Sequence, residues 1–412
     1  MSDLLRLATC GSVDDGKSTL LGRLLHDTRQ IADDQLEHVR DVSARRGGEL
    51  DLALLTDGLR AEREQGITID VAYRSFVTER RRFILADCPG HEQYTRNMVT
   101  GASTADAAVL LIDARYGVVS QTRRHLAIAA LLRVPHVVVA VNKMDLVAWS
   151  QERFDEIVAD VRVLADGLGV ADAACIPLSA LEGDNVVTKS AAAPWYTGPA
   201  LVPYLEELPL DGLDDTGPVR FPVQLIIRPD GEAGGGRRYA GRIERGTLRT
   251  GDAVVALPSG REAVVEAIEI LDEQLEVAGP SLSVNVVLDR EIDIARGDLL
   301  VRRGEEPNVR RELEATLCWM SDRHLKPGQR LLLKAGARTT RAVVDEVRER
   351  LDLESLQPVA APDGLALNDL GRVRLRVADA VPADTYAECR ATGAFVLIDD
   401  ATNDTVAAGM IA

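Results

Sequence analysis

Residues Gly11-Ser12-Val13-Asp14-Asp15-Gly16-Lys17-Ser18-Thr19 fit the phosphate-loop pattern G-x-x-x-x-G-K-[ST] without a mismatch. Leu4 to Cys10 before them reads as a short buried strand. Ser18 to Leu25 after them reads as the start of a helix with Leu20, Leu21 and Leu24 on one face. The loop therefore sits between strand and helix, where phosphate binding needs it. Its glycines let the backbone wrap a phosphate with consecutive N–H groups pointing inward, and the helix N-terminus adds its positive dipole end. Lys17 supplies a point charge for the β- and γ-phosphates, and the Ser18 hydroxyl can ligate Mg²⁺. Alone, such a stretch could be a glycine turn. Four further motifs downstream in the chain give it its meaning.

Arg63-Glu64-Gln65-Gly66-Ile67-Thr68-Ile69 has the character of a nucleotide switch, in which the threonine ligates Mg²⁺ when a γ-phosphate is present. Taken by itself, Thr68 would pass for a strand threonine; its place between the phosphate loop and the next motif decides for the metal. Arg82 to Ala86 reads as a strand ending in Asp87-Cys88-Pro89-Gly90-His91. Asp87 at the strand end can hold the Mg²⁺ hydration shell, and the Gly90 N–H can touch the γ-phosphate. His91 is expected to start a helix beside the phosphate and to orient the attacking water. The other histidines, His26, His38, His125, His136 and His324, sit in no comparable setting and read as surface or packing residues.

Ala107 to Ile112 and Val137 to Val141 are continuous apolar runs, as fully buried parallel strands are. Gln121 to Leu132 between them has helical spacing. The second run ends in Asn142-Lys143-Met144-Asp145. In N-K-x-D the aspartate accepts both the N1–H and the 2-amino group of guanine. Adenine lacks that donor pair, and a buried acceptor left unpaired costs about 1–3 kcal/mol. A further strand, Ala174 to Leu178, leads into Ser179-Ala180-Leu181, whose backbone N–H groups complete the guanine site near O6. Motifs in this order and at this spacing indicate GTP binding on a doubly wound α/β domain, with ligand at the strand C-termini.

The totals are compatible with this. The 412 residues are 46% hydrophobic and 27% charged, ordinary for a globular chain of several domains. A net charge of −17 disfavours broad contact with nucleic-acid backbones. The five cysteines, Cys10, Cys88, Cys175, Cys318 and Cys389, lack C-x-x-C spacing and suggest a reducing compartment rather than disulfides or zinc. Met1-Ser2-Asp3 runs straight into the first strand, so no signal peptide is expected. No run reaches the length of a membrane span. A cytoplasmic enzyme is the expectation.

The chain resembles the translation-factor class of GTPases, the elongation factor Tu and 1A group, through G-S-V-D-D-G-K-S-T, G-I-T-I, D-C-P-G-H, N-K-M-D and S-A-L. It is similar in finer detail to the family of large GTPase subunits of bacterial ATP sulfurylase (sulfate adenylyltransferase subunit 1). That likeness rests on Asp70 to Arg74, His91 to Met98, Ile112 to Arg115, Gln121 to His125, Ser179 to Val186 and Pro194-Trp195-Tyr196, and it covers essentially the whole chain. The resemblance implies phosphate binding by Asp14 to Thr19 and Mg²⁺ ligation by Ser18 and Thr68. It implies action of Asp87, and of Asp57, through metal-bound water. It implies water positioning by His91 and guanine binding by Asn142, Lys143, Asp145, Ser179 and Ala180. It further implies GTP hydrolysis that drives synthesis of adenosine 5′-phosphosulfate from ATP and sulfate by a small adenylyltransferase subunit, with no nucleic acid or membrane partner. A factor delivering aminoacyl-tRNA would share the architecture. Two positions depart from the translation-factor pattern: Asp15 stands where histidine is common, and Gln65 where arginine often precedes Gly66.

In binding terms, the candidate nucleotide contacts are Gly11, Ser12, Val13, Asp14, Asp15, Gly16, Lys17, Ser18, Thr19, Asp87, Cys88, Pro89, Gly90, His91, Asn142, Lys143, Asp145, Ser179, Ala180 and Leu181. Lys17, Gly90 and His91 are the catalytic candidates, and Ser18, Thr68 and Asp87 the metal candidates.

Asp27 to Asp51 is polar, charged and long for a connection, as functional or mobile segments are. Pro209 to Pro218 is an acidic, turn-rich linker. Beyond it the period changes to two, with strands expected at Phe221–Ile227, Tyr239–Ile243, Asp252–Leu257 and Val264–Leu271. Asp230 to Arg238 reads as a mobile hairpin loop, with a partner contact as the alternative. After a break at Gly304 to Pro307, further strands are expected at Glu312–Trp319, Gln329–Lys334, Thr339–Val347, Gly371–Val377 and Ala394–Asp399. Arg341 to Arg350 reads as a solvated strand face. The expectation is an α/β P-loop GTPase domain over 1–208, followed by two β-barrel domains over 219–305 and 308–412. No second phosphate loop occurs within these residues.

Overall fold

The computed structural model describes residues 4–45, 52–55, 71–91, 94–171, 173–210, 216–228, 236–271, 273–361 and 363–412. Asp57, Thr68 and the whole Arg63 to Ile69 stretch lie outside them, as does most of the Asp230 to Arg238 loop. Residues 1–210 with 352–357 form one compact unit, and residues 211–351 with 358–412 another.

The first unit is built on a six-stranded sheet of order β2-β3-β1-β4-β5-β6. Its strands are β1 (Leu4–Gly11), β2 (Ala72–Val77), β3 (Arg82–Asp87), β4 (Ala107–Asp113), β5 (His136–Asn142) and β6 (Ala173–Pro177). The helices are α1 (Lys17–Asp27), α2 (Asp33–Arg45), α3 (Thr95–Ala102), α4 (Ser120–Leu131), α5 (Gln151–Leu168) and α6 (Leu201–Glu207). Every residue of β4 is buried, which is why it reads as an unbroken apolar run: helices cover both faces of a parallel sheet. Leu20, Leu21 and Leu24 of α1 join Leu5, Leu7, Val109, Leu111 and Val138 in one core. Each such side chain contributes about 1.5–3 kcal/mol on burial. β1, β3, β4, β5 and β6 run parallel. Their C-terminal ends therefore converge on one rim, where Gly11, Asp87, Asp113 and Asn142 stand side by side.

Two features of this unit differ from expectation. The Asp27 to Asp51 segment contains a helix, α2, whose first turn is acidic (Asp33, Asp34) and which buries Val39; its charge density masks a sparse apolar face. Strand β2 pairs antiparallel with β3 at the sheet edge through a turn in which Thr78 N–H donates to Arg81 O at 3.0 Å. Residues 92 and 93 lie outside the described residues; α3 runs Thr95–Ala102 with Tyr94 as its N-cap residue. The chain first bends at His91, whose carbonyl accepts the Tyr94 N–H at 3.0 Å.

The second unit holds two closed barrels. In the first, the ring runs Ala253–Leu257, Leu299–Arg302, Phe221–Ile227, Arg238–Arg242, Ser283–Leu288 and Arg261–Ile270, which pairs back onto Ala253–Leu257. In the second, it runs Arg330–Ala335, Ala394–Ile398, Thr405–Ile411, Val309–Trp319, Leu370–Pro382 and Arg338–Leu351, again closed. The strands Ser283–Leu288, Leu299–Arg302 and Thr405–Ile411 are additional to those expected from the sequence; they close the rings. Phe221 and Tyr239 anchor one core, Trp319 and Phe395 the other. The Arg220 guanidinium forks onto Asp384 with both bonds at 2.7 Å, and the two side chains are 4% and 5% exposed. This buried pair links the first barrel to the second. On the second barrel Arg348 pairs with Glu314 at 2.7 Å and Arg376 with Asp345 at 3.1 Å. These exposed pairs balance charge along the strand face and contribute about 0–1 kcal/mol each.

Candidate nucleotide-binding site

The phosphate loop leaves β1 at Gly11 and enters α1 through Gly16, which adopts the left-handed conformation (φ 93°). A side chain there would be strained and would also collide with the Asn142 amide. The first-turn N–H groups of α1 have no intrahelical acceptors and no acidic side chain in that turn competes for them. The Lys17 ammonium lies under the loop and donates to Gly11 O at 2.8 Å and Ser12 O at 2.7 Å. Burial lowers its pKa, against the neighbouring Asp87 and Asp15 charges, which raise it. It is thus a desolvated cation held at the loop's centre.

Gly90 packs directly on this lysine. A Cβ at Gly90 would overlap Lys17 Nζ and come within 2.5 Å of Gly11 O, so the Asp87 to Gly90 turn reaches the loop only with glycine in that place. Asp87 is buried and accepts from Thr9 Oγ1 at 3.1 Å. Cys88 is fully buried, and its hydrogen bond with Cys10 together with burial pushes its thiol up, so it stays protonated. His91, partly exposed, has its ring 6.1 Å from that of Tyr94.

Asp15 differs from the rest of the loop. Its carboxylate folds back and accepts the Ser12 N–H at 2.5 Å. Burial raises its pKa, against the Ser12 hydrogen bond and the Lys17 charge, which lower it. An acidic group so placed occupies an N–H that a phosphate oxygen would otherwise use.

The base-reading motifs converge from β5 and β6. Asn142 Nδ2 donates to Asp15 O at 2.7 Å, and its Oδ1 accepts the Ala180 N–H at 2.9 Å. One amide thus ties the phosphate loop to the Ser179 to Leu181 loop. Lys143 sits in the left-handed region (φ 62°) and donates to Asp14 O and to Asp113 Oδ2 at 2.9 Å. Burial alone would raise the Asp113 carboxyl, but hydrogen bonds from Arg115 and Lys143 outweigh it and hold it at about 2. Gly16, Thr19, Asn142, Lys143, Asp145, Leu146, Ser179 and Leu181 line a cavity of about 210 Å³. Asp145 Oδ1 is buried there with no hydrogen-bond partner among the described residues. Such an orphaned acceptor is costly, and a base presenting N–H donors would satisfy it. The Ala180 N–H is already taken by Asn142, and Leu181 lines the cavity beside it.

Every described candidate from Gly11 to Thr19, Asp87 to His91, Asn142 to Asp145 and Ser179 to Leu181 therefore stands on the same rim. Ser18 lies in the first turn of α1. Thr68 lies outside the described residues. Asp113, Arg23 and Thr9 have no role in the sequence reading and enter the site only through the structure. Asp113 ends β4 as Asp87 ends β3, and a carboxylate closing a buried apolar run is the signal that could reveal it.

A family model described as the elongation factor Tu GTP-binding domain matches residues 2–272, and one described as GTP-eEF1A C-terminal domain-like matches residues 312–412. The chain is 50% identical over 414 residues to the bifunctional enzyme CysN/CysC of Mycobacterium tuberculosis, covering 100% of this chain and 67% of that protein. It is 51% identical over 411 residues to sulfate adenylyltransferase subunit 1 of Aeromonas salmonicida, covering 99% of this chain and 86% of that protein. With sulfate adenylyltransferase subunit 1 of Bacteroides fragilis the identity is 48% over 412 residues, covering 99% and 86%.

Proposed function

The chain belongs to the elongation factor Tu type of GTP-binding proteins and, within it, to the sulfate adenylyltransferase subunit 1 family; on that premise we propose that it hydrolyses GTP to drive formation of adenosine 5′-phosphosulfate from ATP and sulfate. The observation that carries the guanine part is the buried Asp145 carboxylate oxygen, without a partner among the described residues, in the cavity between the Lys143 and Leu181 walls. It is an acceptor in need of N–H donors, and guanine presents a pair of them.

In this reading Gly11 to Thr19 hold the phosphates, with Lys17 between the β- and γ-groups. Asn142, Lys143, Asp145 and the Ser179 to Leu181 loop hold the base. Gly90 offers its N–H to the γ-phosphate, and His91 orients the attacking water. The site suits Mg²⁺: the Ser18 hydroxyl and Asp87 carboxylate are hard oxygen donors. No cluster of three or more His, Cys, Asp or Glu that could hold a metal occurs among the described residues, so the ion would share the nucleotide's own phosphates. When bound, Mg²⁺ supplies charge neutralisation on the β- and γ-phosphate oxygens. Thr68 is its further proposed ligand.

The coupling is a switch. The γ-phosphate orders the switch segments and its loss releases them, and work is done only if a partner binds the states with different affinity. We take that partner to be the small adenylyltransferase subunit, in a cytoplasmic complex, with a GTPase domain over 1–208 and barrels over 219–305 and 308–412. Among the described residues no helix is long and apolar enough to cross a membrane. The test is co-purification with the small subunit, followed by GTP turnover with and without ATP plus sulfate. Turnover that rises only when both substrates are present supports coupling; turnover indifferent to them refutes it.

A further inference from the structure

Arg23 lies on α1 beyond the phosphate loop and belongs to none of the nucleotide motifs. Its Nε donates to Ala180 O at 3.1 Å and its Nη2 donates to Leu181 O. Its Nη1 stands 3.6 Å from Asp27, one helical turn on, and Asp27 in turn meets His26 Nδ1 at 2.7 Å. The guanidinium is largely enclosed, with 18% of the side chain exposed, and its stem lies against Gly183. A planar fork on adjacent carbonyls is a rigid attachment.

Peptide geometry turns this attachment into a statement about the base. In a trans peptide the C=O of one residue and the N–H of the next point in opposite directions. Arg23 holds the Ala180 carbonyl, so the Leu181 N–H points away from the Arg23 guanidinium. The Ala180 N–H is already bonded to Asn142 Oδ1. The Glu182 N–H is turned onto Ser179 Oγ at 3.3 Å. The Leu181 N–H has no acceptor among the described residues, and Leu181 lines the base cavity.

We propose that Arg23 is a positioning residue for base recognition: it clamps the Ala180–Leu181 peptide so that the Leu181 N–H is presented to the 6-oxo group of the purine. Because Arg23 rides on the helix that carries Lys17 and Ser18, the clamp also sets the distance between the phosphate and base contacts. The inference deepens the guanine reading and rests on it.

2-Aminopurine lacks the 6-oxo group and, with it, the N1–H; the lost N1–H is common to wild type and variants, so the change caused by substituting Arg23 reads the 6-oxo contact. Dissociation constants of GTP and of 2-aminopurine ribonucleoside triphosphate are measured for wild type, Arg23→Ala and Arg23→Lys by competition against a fluorescent GDP analogue. Arg23→Ala should weaken GTP about tenfold, as expected for loss of one well-placed hydrogen bond, and weaken the 2-aminopurine nucleotide less than about twofold. Arg23→Lys, which keeps the charge but not the fork, should fall between for GTP. An equal loss for both nucleotides, or no loss for GTP, overturns the role assigned to Arg23. Comparing nucleotides within one variant cancels any general damage to folding. A wild-type protein that does not prefer GTP to the 2-aminopurine nucleotide overturns the guanine reading itself, and the Arg23 inference with it.

Discussion

Lys143 Nζ and Asp113 Oδ2 are 2.9 Å apart, and the Asp113 side chain is only 2% exposed. The pair exists because Asp113 and Asn142 are register partners on β4 and β5, so the residue after Asn142 meets the carboxylate at the end of the neighbouring strand. Asp113→Asn keeps the shape and removes the charge that holds the lysine over the base cavity. Charge-assisted hydrogen bonds are worth about 1.5–3 kcal/mol, so GDP should bind about tenfold or more weakly. Titration with a fluorescent GDP analogue checks this, and unchanged affinity would remove Asp113 from the site.

Asp145→Asn exchanges an acceptor for an amide that can also donate. Guanine then loses about 1–3 kcal/mol, and xanthine, whose C2 carries an oxygen in place of the amino group, should gain. Competition between GTP and XTP reads the change. A variant that keeps wild-type preference for GTP would mean that the orphaned oxygen does not read the base.

His91 is assigned to the water and not to nucleotide binding. His91→Ala should slow GTP hydrolysis by about 10²-fold or more while the dissociation constants of GTP and GDP stay within about twofold. Single-turnover hydrolysis beside equilibrium binding separates the two effects, and wild-type turnover in the variant would exclude the histidine.

His125 supplies a pH test of the first unit. It is fully buried, its Nε2 meets the Gln121 amide at 2.9 Å, and its Nδ1 has no partner among the described residues. Burial, then the Lys17 and Arg124 charges, lower its pKa to about 3. The unfolded chain therefore binds a proton that the folded chain refuses. Stability is full above the unfolded value of about 6.5 and falls as pH drops from there toward 3. At pH 5.5 the loss is about 1.4 kcal/mol. In urea unfolding at pH 7.5, 6.5 and 5.5, His125→Gln should lose less than wild type over this range. An identical pH dependence would contradict the buried neutral state.

Much of this site is legible in the chain alone because its parts are contiguous words. A phosphate loop or N-K-x-D places its own atoms by local backbone geometry, so Lys17 and Asp145 can be found without the fold. Asp113 and Arg23 act through partners distant in sequence: Asp113 on Lys143 through strand order, Arg23 on Ala180 and Leu181 through helix placement. Pattern along the chain carries no sheet order. Helix α2 escapes for another reason, since its acidic, polar sequence resembles a loop until Val39 is seen to be buried. Barrel strands such as Ser283–Leu288 are short, and only pairing with Arg238–Arg242 and Arg261–Ile270 distinguishes them from a turn-rich connection.

The decisive measurement of coupling is sulfate-dependent pyrophosphate release from ATP by the chain together with the small adenylyltransferase subunit. It is run with GTP, with the β,γ-imido analogue of GTP, and without guanine nucleotide. Coupling requires that GTP raise the extent of adenosine 5′-phosphosulfate formed and that the non-hydrolysable analogue fail to do so. Equal extents in all arms would contradict it, leaving a GTP-binding protein whose hydrolysis does no work on sulfate.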